Sequence, residues 1–185
     1  MSALVRHPSD RPSPPGPLGR LDLAVCGHFN RLAAGRWLRE TFRVVSRLGD
    51  GVFWYALMLV LPLAYSATGV IAALHMAVAG LAGSGLHALL KKALRRPRPC
   101  QRHSRIQRMM APLDEFSFPS GHTLHAVSFS VLVWHYAPSL AWLAIPFTGL
   151  VALSRMVLGL HYPSDVLAGA ALGWLIAAAT LSIVV

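Results

Sequence analysis

The sequence predicts an all-α integral membrane protein with about five transmembrane helices, preceded by an amphipathic helix in the membrane interface. Of its 185 residues, 55% are hydrophobic and only 13% are charged, which lies outside the usual range of soluble domains. Two long stretches, 51–90 and 116–154, contain no Asp, Glu, Lys or Arg, and a third apolar stretch ends the chain. Turn-forming residues interrupt each of the first two stretches once, as a hairpin of two membrane helices requires.

The N-terminal 48 residues differ in composition from the rest of the chain. Residues 1–19 hold five prolines among interspersed arginines, so we expect a disordered tail. Residues 20–48 repeat apolar side chains at helical spacing, with arginines filling the gaps. This segment is too charged to span a bilayer, and its pattern predicts a helix lying in the interface. A soluble helix packed on the loops is the alternative.

Residues 20–185 are predicted to form one membrane-embedded domain, with 51–185 as its transmembrane core. The first uncharged stretch gives two spans that break near Ser66 to Gly69. The second gives two spans that break at 137–139, where Pro and Ser favour a turn. A fifth span follows from about Ser164. It carries Gly169 and Gly173, and two small residues four apart predict close packing against a neighbouring helix.

The net charge of +10 bears on the partners of this chain. No aromatic platform or groove-reading helix accompanies the cations, so we expect no nucleic-acid partner. The lipid bilayer, its anionic headgroups and phosphorylated lipids are the expected partners. Cys26 and Cys100 lack any metal-ligand spacing, so we expect neither a disulfide framework nor a metal site. The sequence makes no prediction about the oligomeric state.

Three short polar segments at the ends of predicted spans carry the residue types that phosphate chemistry needs. Helical hairpins would bring them to one face of the bilayer. Arginine binds two phosphate oxygens in a fork, lysine adds a point charge, and a helix start offers free N–H groups to an anion. A positively charged membrane border is the alternative for the cations. In chain order, the segments are Lys91 with Arg98-Pro99, then Pro119-Ser120-Gly121-His122, then Ser154-Arg155 with His161 and Asp165.

Two histidines in these segments are candidate catalytic groups. His122 lies in the first turn of the third span, where it can protonate a leaving group or simply cap the helix, as Ser120 also can. Asp165 follows His161 by four residues, so its carboxylate can hold one ring nitrogen while the other attacks phosphorus. A purely structural hydrogen bond between His161 and Asp165 is the alternative.

Other polar residues have simpler interpretations. His75 is predicted to be a neutral residue that packs between helices, whereas His87, one turn before Lys91, is expected to border the pocket. Asp114 and Glu115 precede the second segment, where they would orient a loop cation or shape headgroup selection.

The order and spacing of the three segments resemble the complete signature of the type 2 phosphatidic acid phosphatase superfamily, over about residues 91 to 165. The chain is similar to the small bacterial undecaprenyl pyrophosphate phosphatases of its membrane branch. The resemblance implies that His161 is the nucleophile that forms a phosphohistidine, Asp165 its orienting partner and His122 the acid. It implies no metal and no other cofactor. It also implies that five residues hold the phosphate: Lys91, Arg98, Ser120, Gly121 and Arg155.

The sequence therefore predicts a metal-independent membrane phosphatase for a lipid phosphate or pyrophosphate, with undecaprenyl pyrophosphate as the favoured substrate. Phosphatidylglycerophosphate, phosphatidic acid and lipid A phosphates are alternatives, as is a non-catalytic phospholipid-binding or lipid-transporting membrane protein. The positive-inside rule places the cation-rich face in the cytoplasm. Superfamily members generally place the pocket on the other side. Because several of these cations would serve phosphate binding, we predict a bacterial inner-membrane protein with an extracytoplasmic active site.

Overall fold

Every regular element in residues 16–184, the part of the chain that the computed structural model describes, is helical. This confirms the predicted all-α fold class, whereas the predicted disorder of residues 1–15 lies outside the described residues. A π-helical turn, Leu48–Val52, joins the second and third helices. The α-helices are α1 (Pro17–Leu32), α2 (Arg36–Arg47), α3 (Phe53–Leu94), α4 (Pro99–Arg102), α5 (Gly121–Tyr136), α6 (Pro138–Val157) and α7 (Pro163–Val184).

The long helix α3 is a hairpin of two arms. Tyr65 and Ser66 leave helical geometry, and Ser66 has a φ of 48°. A Cβ atom placed on Gly69 would lie 1.9 Å from the carbonyl oxygen of Leu61. In a continuous helix, residues eight apart are separated by about 12 Å along the axis. The chain therefore folds back on itself at Ser66, where the sequence predicted a break.

A second hairpin joins α5 to α6. The chain turns at Ala137, and Pro138 opens α6 at a position where the missing proline N–H costs nothing. Helix α7 then packs across α5 at very short range, because a Cβ on Gly169 would lie 2.5 Å from the Ser120 carbonyl oxygen and one on Gly173 2.2 Å from that of Leu124. The predicted close packing is confirmed, and it holds the start of α5 beside the start of α7.

Three segments of the described chain are long and apolar enough to cross a membrane: Arg36–Arg102, Pro138–Val157 and Pro163–Ile183. The first contains both arms of α3. Helix α5 has 16 residues, or about 24 Å of length, which is shorter than a hydrocarbon core of about 30 Å. Large apolar side chains such as Leu63 and Trp142 point outward, at 87% and 79% exposure. The fold is that of an integral membrane protein, while the count of five spans stays a prediction.

The N-terminal segment forms two helices, so the prediction of one continuous helix over 20–48 was wrong, while its location in the membrane interface stays a prediction. Helix α1 begins at Pro17, inside the predicted tail, and packs on α6 and α7. The chain breaks before α2 because Gly35, a weak helix former, adopts an extended conformation. The side of α1 that faces the protein carries two buried polar residues, which composition did not reveal. Its buried residues are Asp22, Cys26 and Asn30.

The apolar core lies between the arms of α3, α5 and α6. Trp54, with 1% exposure, packs against the rings of Phe129 and Phe147 at its centre. His75 is buried there and its Nδ1 lies 2.9 Å from the Tyr136 hydroxyl, which agrees with the predicted packing role. This core fixes the helices along their length and leaves their polar ends to meet at one end of the bundle.

Candidate active site

The three polar segments meet at one cavity of about 500 Å³. Two predicted site residues, Ser120 and Asp165, are not among its lining residues and lie fully buried. The other six line the cavity, namely Lys91, Arg98, Gly121, His122, Arg155 and His161. The hairpins of α3 and α5–α6 produce this convergence, because each returns the chain to the same end of the bundle.

Lys91 and Arg98 share one carboxylate at the cavity. Lys91, in the last turn of α3, donates to Asp114 and, at 2.9 Å, to the Phe116 carbonyl oxygen. Arg98 Nη2 donates to Asp114 Oδ1 at 2.6 Å. Burial raises the pKa of Asp114, but Lys91 and Arg98 outweigh it and hold that pKa below its usual value. The Asp114 carboxylate is therefore paired with Lys91 and Arg98, the two cations that a substrate phosphate would bind.

Arg155 has no such counter-ion. It lies in the last turn of α6 with 2% exposure, and its Nη1 donates to the hydroxyl of Ser46. Its Nε has no hydrogen-bond partner, and within residues 16–184 no carboxylate lies at ion-pair distance from it. A buried charge without a partner costs several kcal/mol, roughly. The site is consequently built to receive an anion from outside the chain.

The geometry around His161 fixes which of its nitrogens can react. His161 Nε2 lies 3.2 Å from Arg98 Nη1. A guanidinium can only donate, so Nε2 must carry the lone pair and Nδ1 the hydrogen. Burial, followed by the charges of Arg155 and Arg98, lowers the pKa of His161 well below its usual value. His161 is therefore a neutral imidazole whose Nε2 lone pair faces Arg98 at the cavity.

Asp165 is close to His161, but the predicted hydrogen bond between them is not formed. His161 Nδ1 and Asp165 Oδ2 are 3.7 Å apart. Asp165 is the third residue of α7 and its Oδ2 accepts the amide of Tyr162 at 2.8 Å, which is half of a capping box. Its Oδ1 accepts from Arg96 Nη1 at 2.6 Å. Capping and Arg96 hold the carboxylate slightly away from the imidazole.

Sequence reasoning missed the residue that contacts His122. His122 Nε2 lies 2.6 Å from Asp50 Oδ1, an ion-pair contact without aligned hydrogen-bond geometry. Asp50 belongs to the π-helical turn before α3, where Gly51 has a φ of 135°. The only signal in the sequence is an acid between two glycines at the entry to the first span. This contact places a carboxylate beside the histidine that the sequence predicted to be the acid.

The start of α5 forms part of the cavity wall, with Gly121 and His122 among the lining residues. The prediction that Ser120 caps α5 was wrong, because its Oγ pairs with Thr123 Oγ1 at 3.0 Å instead. A Cβ on Gly121 would lie 2.6 Å from His87 Nε2, so only glycine admits this approach. His87 lines the cavity, as expected, and its Nε2 has no hydrogen-bond partner among the described residues.

The remainder of the cavity is apolar. It extends from the cations between the arms of α3 and along α5. A phosphate at one end and a hydrocarbon chain at the other would match the two halves of this cavity. Its apolar lining includes Trp54, Met58, Met76, Leu81 and Phe129.

Comparisons with known proteins agree with this geometry. The family model of the PAP2 superfamily matches residues 68–185. Undecaprenyl-diphosphatase BcrC of Bacillus subtilis is 31% identical over 94 residues, covering 51% of this chain and 48% of that protein. Decaprenylphosphoryl-5-phosphoribose phosphatase of Mycobacterium tuberculosis is 38% identical over 99 residues, covering 52% of this chain and 54% of that protein. These matches span about half the length of the curated relatives.

A solved structure extends the likeness to almost the whole fold. The crystal structure of a transmembrane PAP2 type phosphatidylglycerolphosphate phosphatase from Bacillus subtilis superimposes with a TM-score of 0.68. The superposition covers 90% of this chain and 85% of that one, at 25% identity. It therefore includes helices that the family model leaves out.

Proposed function

This chain belongs to the PAP2 superfamily, and we propose that it hydrolyses a phosphate or diphosphate ester of a membrane lipid. The observation that carries the proposal is the buried guanidinium of Arg155, which faces the cavity without a carboxylate partner in residues 16–184. An anion must complete this site, and the apolar half of the cavity favours an anion attached to a lipid. Arg98 and Lys91 supply further charge once the substrate displaces Asp114.

The proposed reaction has two steps. The phosphate is held by Lys91, Arg98 and Arg155, with the start of α5 at Gly121 behind it. His161 Nε2 attacks phosphorus while the bond to the lipid oxygen breaks, and protonated His122 gives its proton to that oxygen. Neutral His122 then takes a proton from water, the water oxygen bonds to phosphorus, and the nitrogen–phosphorus bond breaks. Inorganic phosphate leaves and both histidines return to their initial states.

Asp165 keeps its proposed role as the partner of His161, acting by its charge across 3.7 Å rather than by a hydrogen bond. Phosphorylation at Nε2 makes the imidazole ring cationic while Nδ1 keeps its hydrogen. A buried carboxylate beside Nδ1 stabilises that cation. Ser120, which lies behind the cavity wall, would bind phosphate only after its hydroxyl leaves Thr123.

We further propose a polyprenyl diphosphate, such as undecaprenyl pyrophosphate, as substrate, because the names of both curated relatives contain a polyprenyl group. Phosphatidylglycerophosphate is the second candidate, since the superimposed structure is named for it. Phosphatidic acid and lipid A phosphates offer the same terminal group. The proposed location is the bacterial inner membrane, with the cavity on the extracytoplasmic face.

The test is release of phosphate from a panel of these lipids by the purified protein in detergent. Wild type and the exposed-surface control Glu40→Gln should release phosphate, with and without a chelator, whereas His161→Ala should not. A wild-type protein that releases no phosphate from any of these lipids, or a His161→Ala variant that retains turnover, would contradict the proposed function.

A further inference from the structure

We propose that Asp22 in α1 is a positioning residue for the nucleophile, which it reaches through Arg96 and Asp165. This inference rests on the proposed function and concerns a helix outside residues 68–185, the part matched by the family model. Asp22 lies on the face by which α1 packs on α6 and α7.

Asp22 accepts two hydrogen bonds from the start of α7. With 3% exposure, it accepts the Ser164 amide on Oδ1 at 3.0 Å and the Ser164 hydroxyl on Oδ2. The first amides of a helix lack partners within the helix. A carboxylate from another helix supplies the partner here, and it fixes the segment that follows His161.

Arg96 connects Asp22 to Asp165. Its Nη2 donates to Asp22 Oδ2 at 2.7 Å and its Nη1 to Asp165 Oδ1 at 2.6 Å. The guanidinium lies over the ring of Tyr162, 4.1 Å from its centre. Two buried carboxylates therefore share one cation. The sequence did not single out Arg96, whereas the structure directs its guanidinium to two buried carboxylates.

This shared cation determines where the Asp165 carboxylate lies. Because Arg96 divides its donors between two acids, it draws only Oδ1 of Asp165 and leaves Oδ2 facing His161 Nδ1 at 3.7 Å. If Asp22 were neutral, Arg96 would turn both terminal nitrogens toward Asp165 and compete with the imidazole for its charge. His161 would then lose stabilisation of its cationic phosphorylated form.

A merely structural role for Asp22 predicts a different outcome. Asn30, two turns further along α1, holds the same helix by bonds to the Val157 and Gln107 carbonyl oxygens at 3.0 and 2.9 Å. It makes no hydrogen bond to Arg96 or to Asp165. Asn30→Ala therefore provides a matched control in which α1 is loosened without any change in the charges around His161.

The experiment compares kcat, KM and thermal stability of Asp22→Asn, Arg96→Gln, the double variant, Asn30→Ala and the charge control Glu40→Gln. We expect Asp22→Asn to lower kcat about 10- to 100-fold, as loss of an outer-shell partner does. KM should change less than about twofold, because Lys91, Arg98 and Arg155 are untouched. The double variant should be no slower than Arg96→Gln, since Asp22 acts through Arg96. Asn30→Ala should lose thermal stability and keep its kcat.

An Asp22→Asn variant that melts earlier but keeps wild-type kcat, or effects of Asp22 and Arg96 that add independently, would overturn the inference. A second measurement needs no turnover: ¹⁵N-histidine NMR of the protein in detergent reports the Nδ1–H form of His161. Its signal should shift in Asp22→Asn and not in Glu40→Gln, and an unchanged signal would count against the inference. If the proposed function is wrong, the wild-type protein itself will release no phosphate. That result is distinct from a failure of the inference about Asp22.

Discussion

His161 and His122 border the same cavity, yet their surroundings are opposite. Nε2 of His161 lies 3.2 Å from the guanidinium of Arg98. Nε2 of His122 instead lies 2.6 Å from the carboxylate of Asp50. A cation beside His161 keeps the ring neutral, as a nucleophile must be. The anion beside His122 can orient that ring toward the cavity, which is compatible with its proposed role as the acid. The opposite charges of these neighbouring groups are the geometric basis for proposing different roles for the two histidines.

The carboxylates near these histidines also come from different parts of the chain. Asp165 follows His161 by four residues, so the sequence shows the pair directly. Asp50 reaches His122 from the far upstream turn Leu48–Val52, outside the region matched by the family model. The N-terminal segment therefore contributes to the acid side of the site through Asp50 and to the nucleophile side through Asp22.

The largest expected effect comes from replacing the two histidines, whose variants should respond differently to the leaving group of the substrate. His161→Asn should lose at least about 10⁴-fold in kcat with any substrate, because no other group can attack phosphorus. His122→Asn should lose about 10² to 10⁴-fold with a lipid alcohol or phosphate as leaving group. With p-nitrophenyl phosphate, whose phenolate needs no proton, His122→Asn should recover the rate of the first step, seen as a burst of p-nitrophenol, while its steady-state turnover stays slow because His122 also activates water. A similar recovery in His161→Asn would reverse the two assignments.

Asp50→Asn should resemble a mild form of His122→Asn. We expect about a tenfold lower kcat on lipid substrate, because the contact of 2.6 Å to His122 loses its charge. The loss should shrink in the burst of p-nitrophenol from p-nitrophenyl phosphate, as for His122→Asn, and Glu40→Gln should show no loss. An Asp50 effect that is equal for both leaving groups would assign Asp50 to folding rather than to the acid.

The pH dependence tests the neutral state of His161. Its pKa lies well below 6.5, so the ring stays unprotonated as the pH falls to that value, and it loses its lone pair only in more acidic solution. The acid limb of kcat/KM should therefore lie below pH 6.5. Alkyl and aryl phosphates, which differ in their own pKa, should give the same limb if it belongs to the enzyme. A shared limb near pH 7 would contradict this assignment.

The smallest expected effect concerns Asp114, which occupies Lys91 and Arg98 in the absence of substrate. Asp114→Asn should free both cations and strengthen product inhibition by inorganic phosphate about two- to fivefold, the scale of a partly exposed ion pair. The neighbouring acid gives a matched control, since Glu115→Gln should leave inhibition unchanged. Weaker inhibition in Asp114→Asn would show that Asp114 organises the cations rather than competes for them.

The sequence predicted those features of the fold that depend on local pattern. Uncharged stretches, a turn at Ser66 and paired glycines such as Gly169 and Gly173 specify hairpins and close packing through neighbouring residues alone. The break before α2 depends on a single weak helix former, Gly35, within an otherwise helical pattern. The local sequence does not tell whether tertiary packing will keep the helix continuous through such a residue.

The candidate site divides in the same way. The four-residue spacing predicted that His161 and Asp165 lie together, and the charged segments predicted a phosphate-binding site. The partners of Arg96 and His122 were missed because Asp22 and Asp50 approach from distant helices. A carboxylate in an N-terminal segment has no local mark that distinguishes a buried partner from a surface charge. Even the pair that spacing identified is 3.7 Å apart, since helix capping competes for Asp165.

The most direct test of the account is to trap the phosphorylated enzyme. Wild type and His122→Asn are mixed with ³²P-labelled aryl phosphate, quenched in alkali, in which phosphohistidine survives, and digested for mass spectrometry. We predict label on the peptide that contains His161, more of it in His122→Asn because activation of water is slowed, and none in His161→Asn. Label on a different residue, or continued phosphate release by His122→Asn with no label on His161, would contradict the account.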